Sequence, residues 1–176
     1  MELQFPIAIT KMSGAGNDFV VIDHRSEQIP VRLQPQFAQA VCRRRFSAGA
    51  DGLILIENSE SADFSWRFYN SDGSVAEMCG NGARCAARFA FRHGIAGRQL
   101  CFDTLAGTIE AEIIGEQEHV SVKVTEPGPV TAARPILLDG VEYDLFRVNT
   151  GVPHAVLFVD PENCPVREWG RAIRYH

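Results

Sequence analysis

The chain has 176 residues, 45% of them hydrophobic, a net charge of −5 and an isoelectric point near 5.5; this is core material for one large domain, or one domain and part of another, and no basic surface for nucleic acid. Its five cysteines are odd in number, irregularly spaced and without a CxxC pair, so neither a disulfide framework nor a metal site such as zinc is indicated, and reduced thiols in the cytoplasm are expected. No stretch approaches the roughly eighteen apolar residues of a membrane helix, the first residues carry no secretory pattern, and neither Lys11 nor Lys123 sits in a motif for a pyridoxal phosphate Schiff base, so no membrane and no pyridoxal phosphate are expected.

Gln4 to Thr10 is predicted as a first strand, Lys11 to Asp18 as a tight glycine loop and Phe19 to Asp23 as a second strand. The GAGN loop lacks the third glycine and the following helix of a dinucleotide fingerprint. Pro35 to Arg44 is predicted as a helix with proline at its start, with Arg43-Arg44-Arg45 as its solvated end. Ala48-Gly49-Ala50-Asp51-Gly52 turns into a buried strand from Leu53 to Glu57. A further strand runs from Phe64 to Tyr69, and Asn70-Ser71-Asp72-Gly73-Ser74 is a turn.

The stretch Phe68 to His93, FYNSDGSVAEMCGNGARCAARFAFRH, is the centre of the chain. Cys79-Gly80-Asn81-Gly82 leads into a helix, with Asn81 or Gly82 as its cap. N–H groups at a helix start are unpaired and carry positive partial charge, which stabilises a thiolate and suits Cys79 to exchange a proton near neutral pH. The competing role is a buried structural thiol, which fits Cys42, Cys85, Cys101 and Cys164 better. Arg84, Arg88 and Arg92 make one polar stripe, while Ala83, Ala86, Ala87, Phe89, Ala90 and Phe91 cover most of the rest, so the helix is expected inside a curled sheet. Gln99 to Asp103, Thr108 to Ile114 and His119 to Thr125 alternate as an antiparallel meander. Pro127-Gly128-Pro129 then breaks the run. Residues 1–126 are thus a complete mixed α+β unit, and residues 127–176 begin with a crossover into something new.

That new part repeats the beginning. Thr150 to Asp160 (TGVPHAVLFVD) aligns with Ser13 to Asp23 (SGAGNDFVVID), so that glycine meets glycine, His154 meets Asn17, and four apolar residues run to an aspartate in each copy. The bland alternative is two ordinary junctions of loop and strand. As a tandem duplication, the second copy is incomplete: the counterpart of Cys79 would fall about 60 residues beyond His154, past His176, and Pro165 to Tyr175 would be its early helix.

The segments KMSGAGNDFVVID, GADGLI, FYNSDGSVAEMCGNGARCAARF, TLAGTIEAEI and NTGVPHAVLFVD closely resemble the amino-terminal part of bacterial diaminopimelate epimerases, and the cysteine segment is highly specific. The resemblance implies two similar domains, each a mixed sheet wrapped around a central helix, with the substrate in the cleft between them. It implies a cofactor-independent isomerase of lysine and peptidoglycan-precursor synthesis, homodimeric at full length, that interconverts LL- and meso-diaminopimelate through two cysteines facing opposite sides of the α-carbon. Cys79 matches the first of these. Asn17 and Asn70 match substrate-binding asparagines, Gly80 and Asn81 match the backbone and amide donors beside the thiol, and His154 matches a histidine that tunes the cysteines. Gly52 stands where some members have glutamine, and Val152 where many have a substrate-contacting asparagine. A proline-type racemase of the same fold is the alternative activity, although CGNGARC points to diaminopimelate. An inactive, binding-only protein lacking the second thiol is the alternative of another class.

Overall fold

The computed structural model describes residues 3, 5–124, 126–150 and 153–175, which form two compact units, Met1–Val124 and Thr125–His176. In the first, seven strands form one mixed sheet in chain order: β1 (Thr10–Gly14), β2 (Asn17–Asp23), β3 (Gly52–Glu57), β4 (Phe64–Asn70), β5 (Gln99–Thr104), β6 (Gly107–Ile114) and β7 (His119–Lys123). The pairs β2–β3 and β4–β5 are parallel and the others antiparallel. Helix α1 (Gln34–Cys42) lies on one face, and helix α2 (Gly80–Arg92) on the other.

The sheet curls around α2 as its composition predicts. The helix touches β1, β2 and β3 on one side and β6 and β7 on the other, so both sheet edges reach it. Its alanines are the reason, since Ala83, Ala86, Ala87 and Ala90 are fully buried and add little bulk between helix and strands. The arginine stripe stays half-exposed, with Arg88 and Arg92 both on Glu118 of the β6–β7 turn, at 3.1 and 2.6 Å. Phe19 and Val21 of β2, and Ile54 and Ile56 of β3, pack under α2. Their neighbours Val20, Ile22, Leu53 and Leu55 pack under α1, which explains the unbroken apolar runs of both strands. Beneath α1, buried His24 accepts from the Ile29 N–H at Nε2 (2.9 Å), so its proton sits on Nδ1, facing Glu57 Oε1 at 3.0 Å.

Several predicted boundaries move. The first strand is Thr10–Gly14 and not Gln4 to Thr10 (Gln4 lies outside the described residues), because Ala15 and Gly16, with φ of 50° and 91°, make a two-residue hairpin turn that draws Lys11 to Gly14 into the ladder. Helix α1 stops at Cys42, since Arg43 turns extended, and Arg44 is not a solvated helix end but binds two carboxylates. The cap of α2 is Cys79 itself, not Asn81 or Gly82, which lie inside the helix. Thr125, given to the last meander strand, lies outside the described residues; β7 ends at Lys123.

The second unit holds a three-stranded antiparallel sheet, β8 (Arg134–Leu138), β9 (Val141–Asn149) and β10 (Pro153–Leu157), and helix α3 (Val166–Arg174). Ile136, Leu138 and Leu145 are its buried residues, with Tyr143, Leu157, Trp169 and Ile173 packed on them. The β8–β9 hairpin turns at Asp139-Gly140, both at positive φ (50° and 79°). As β2 follows β1, β10 follows β9 in an antiparallel pair, with Pro153 opposite Asn149 where the first unit has Asn17 opposite Gly14. No helix among the described residues is long and apolar enough to cross a membrane.

Candidate active site

Four predicted residues of the first unit converge at one end of the sheet, and Asn70 lies at the same end. Asn17 opens β2, Asn70 closes β4, and the start of β3 lies between them, with Gly52 opposite Asn70. Val75 bridges back to Tyr69, and the chain from there runs up to the start of α2. Cys79 takes an extended backbone (φ −148°, ψ 113°), and its Sγ accepts the Gly82 N–H at 3.4 Å. Sulfur thus does what a serine or aspartate oxygen usually does at this position, and it stands half-buried at the positive end of α2.

Asn81 ties this helix end to the hairpin: its Nδ2 donates to Asn17 Oδ1 at 2.7 Å, and Arg84 donates to Asn81 Oδ1. A β-carbon on Gly14 would lie 2.7 Å from the Asn81 carbonyl oxygen and 2.9 Å from Cys85 Sγ, so only glycine lets β1 pass the first turn of α2. Gly80 precedes Asn81 in that turn, where backbone N–H groups have no partner within the helix. The side chain of Asn70 is used in the turn that follows, donating to Ser74 Oγ at 3.0 Å. His154 lies in the other unit, on β10, exposed, with Nδ1 3.2 Å from Thr150 Oγ1. Val152 lies outside the described residues. Gly52 has no room for the family's glutamine, since a β-carbon there would lie 2.5 Å from Phe68 Cε2.

Asp51 and Asp18, which sequence reasoning missed, join Asn17 in one polar cluster. The parallel pairing of β2 and β3 sets them side by side, with the Asp51 N–H on the Asp18 carbonyl at 2.8 Å. Asn17 Nδ2 and the Asp18 N–H donate to Asp51 Oδ2 at 3.2 and 3.1 Å, and Arg44 bridges Asp18 and Asp51 at 2.6 and 2.8 Å. The Arg44 guanidinium and the Lys11 ammonium hold the Asp18 carboxyl far below the usual range. No spacing rule relates positions 18, 44 and 51. Burial pushes the thiols of Cys42 and Cys85, each in one of the first unit's two cores, up to about 11. Among the described residues no three His, Cys, Asp or Glu side chains converge as metal ligands. A cavity of about 470 Å³ lined by Asp23, Arg25, Phe89 and His93 lies where β2 and α2 finish, at the opposite end from Cys79.

A profile of the family described as diaminopimelate epimerase matches residues 9–130. The diaminopimelate epimerase of Aquifex aeolicus (strain VF5) is 47% identical over 175 residues, 94% of this chain and 62% of that protein. That of Archaeoglobus fulgidus is 40% identical, over 96% of this chain and 64% of the relative. The chain therefore spans less than two thirds of the length of these relatives. Among solved structures, a Bacillus anthracis phenazine biosynthesis protein of the PhzF family superposes with a TM-score of 0.68 at 16% identity, over 88% of this chain and 56% of that one. A hydroxyproline epimerase from Agrobacterium vitis does so with a TM-score of 0.61 at 15% identity, over 92% and 52%. At these identities the structures share the fold. The profile match and the sequence relatives go further: the chain belongs to the diaminopimelate epimerase family.

Proposed function

We propose that the full-length protein is a cofactor-independent epimerase interconverting LL-2,6-diaminopimelate and meso-diaminopimelate, with Cys79 as one of two thiols that exchange the α-proton. The observation that carries this reading is the position of the Cys79 sulfur at the first turn of α2, the turn from which Asn81 bonds the Asn17 amide. The backbone N–H groups of Gly80 and Asn81 in that turn and the two amides are donors suited to the substrate's α-carboxylate. A carboxylate so held accepts electron density when the Cα–H bond breaks, and the donors stabilise the charge that develops on it. The proton passes to one sulfur, while the other delivers its S–H proton to the opposite face, where the electron pair of the α-carbon takes it up. Inversion needs two faces and hence two groups.

Asn70 is assigned as a further substrate contact. Thr125–His176 is read as the beginning of a second, pseudo-symmetric copy, on the repeated hairpin and the greater length of the relatives. That copy supplies the second thiol, and His154 tunes the pair. Cytoplasmic location and a homodimer complete the proposal.

The test is proton exchange and epimerisation of LL-diaminopimelate by the full-length protein in D2O, with Cys79→Ser beside it. Turnover with deuterium at one α-carbon is expected, and a loss of about 10³-fold in kcat for the serine variant. With an analogue bearing a β leaving group, which needs one base, Cys79→Ser retains elimination for the isomer whose α-hydrogen faces the other thiol. Turnover of single-centre amino acids and none of diaminopimelate refutes the substrate, and equal loss with both isomers refutes the role of Cys79.

A further inference from the structure

We infer that Asp51 and Arg84 are positioning residues that set which way the Asn17 and Asn81 amides face, an inference that rests on the epimerase reading of the site. The four side chains form one hydrogen-bonded line: Asn17 Nδ2 to Asp51 Oδ2 at 3.2 Å, Asn81 Nδ2 to Asn17 Oδ1 at 2.7 Å, and Arg84 to Asn81 Oδ1. An asparagine amide is close to symmetric in shape, so nothing in packing alone decides which of its ends is N–H₂ and which is oxygen. The ends of the line decide it. A carboxylate only accepts, so the Asn17 atom facing Asp51 is the nitrogen and its oxygen faces Asn81. A guanidinium only donates, so the Asn81 atom facing Arg84 is the oxygen and its nitrogen faces Asn17. The two conditions agree at the central bond, and each enforces the other.

Asp51 is itself held. Arg44 takes Oδ1 at 2.8 Å, which leaves Oδ2 for Asn17 and for the Asp18 N–H at 3.1 Å. Each amide nitrogen carries a second N–H beyond the one spent in the line, and both sit at the helix end that bears Cys79. The line thus delivers donors to the site. With the amides turned over, it would deliver carbonyl oxygens that repel a carboxylate. Asp51→Asn keeps the shape and loses this control: one amide oxygen cannot serve both Arg44 and the Asp18 N–H, and whenever it faces Arg44 its N–H₂ meets Asn17 and inverts that amide.

The experiment compares full-length wild type with Asp51→Asn, Arg84→Lys and Arg84→Gln. Lysine only donates, as arginine does, whereas glutamine can face either way. Asp51→Asn and Arg84→Gln are expected to raise KM for diaminopimelate about tenfold each, the worth of one oriented hydrogen bond, with kcat within about threefold, while Arg84→Lys stays near wild type. Side-chain N–H₂ resonances of Asn17 and Asn81 in 15N-labelled protein, which need no turnover, should shift in Asp51→Asn and Arg84→Gln and hold in Arg84→Lys. Unchanged KM in both disruptive variants, or equal KM in Arg84→Lys and Arg84→Gln, overturns the inference, and the Arg84 pair decides if Asp51→Asn does not fold. Resonances that behave as expected in a wild-type protein that does not turn over diaminopimelate would instead sink the epimerase reading and leave the amide line standing.

Discussion

Replacing Gly52 by alanine puts a methyl group 2.5 Å from Phe68 Cε2 and 2.8 Å from the Tyr69 carbonyl oxygen, where an ordinary carbon contact is about 3.5–4.0 Å. The backbone at Gly52 lies outside the left-handed region, so alanine adopts it, and reduced freedom in the unfolded chain alone would stabilise by about 0.4–1 kcal/mol. The steric effect has the opposite sign and wins. The Phe68 ring is locked, edge-on to Phe19 at 5.9 Å and tilted on Trp66 at 5.5 Å, and the Tyr69 carbonyl belongs to the strand paired with β3. Overpacking of this kind costs about 1–3 kcal/mol, leaving a net loss of up to about 2.6 kcal/mol. For the 124-residue unit that is a fall in Tm of up to about 12 °C. Thermal unfolding followed by circular dichroism should show it. Phe68→Leu destabilises alone by leaving a cavity, yet it makes room for the new methyl. The double variant should therefore be less destabilised than the sum of the singles, by about 1–2 kcal/mol. An additive double variant, or Gly52→Ala at or above the wild-type Tm, would refute the reasoning.

Brief iodoacetamide treatment of the native full-length protein, mapped by mass, should modify Cys79 first and Cys42 and Cys85 last. The latter are buried and pushed up to about 11, so at pH 8 about one in a thousand is thiolate; Cys85 reacting as fast as Cys79 would contradict this. Asp18→Asn should destabilise the protein at pH 7. The folded-state value of Asp18 lies below its ordinary 3.8, so its contribution is complete above about pH 4 and fades as the pH falls towards the folded value. Urea midpoints of the two proteins should therefore converge between pH 4 and pH 2, and a constant gap across that range would show that the Arg44 and Lys11 contacts to Asp18 are not its source.

What was legible in the sequence is what a local pattern encodes. The apolar runs Phe19 to Ile22 and Leu53 to Ile56 are strands buried on both faces, and the alternation from Gln99 to Lys123 is the meander. The alanines and spaced arginines of α2 state that it is wrapped. Asp139-Gly140 between alternating residues was a local signal too, and reading it would have found the β8–β9 hairpin. The first strand was misplaced because Ala15, a non-glycine at positive φ, closes a turn that composition extends into a loop. The orientation of the site was not legible for a different reason. Asn17, Asn81 and Cys79 announce their chemistry by residue type, but an amide does not announce which end is nitrogen. That is decided by Asp51, 34 positions from Asn17, which arrives only through the parallel pairing of β2 with β3. Its grip on Arg44 in turn requires α1 to end at Cys42, so that the arginine run turns back over the sheet. Residue type thus fixes what the site can donate or accept, and long-range topology fixes in which direction it does so.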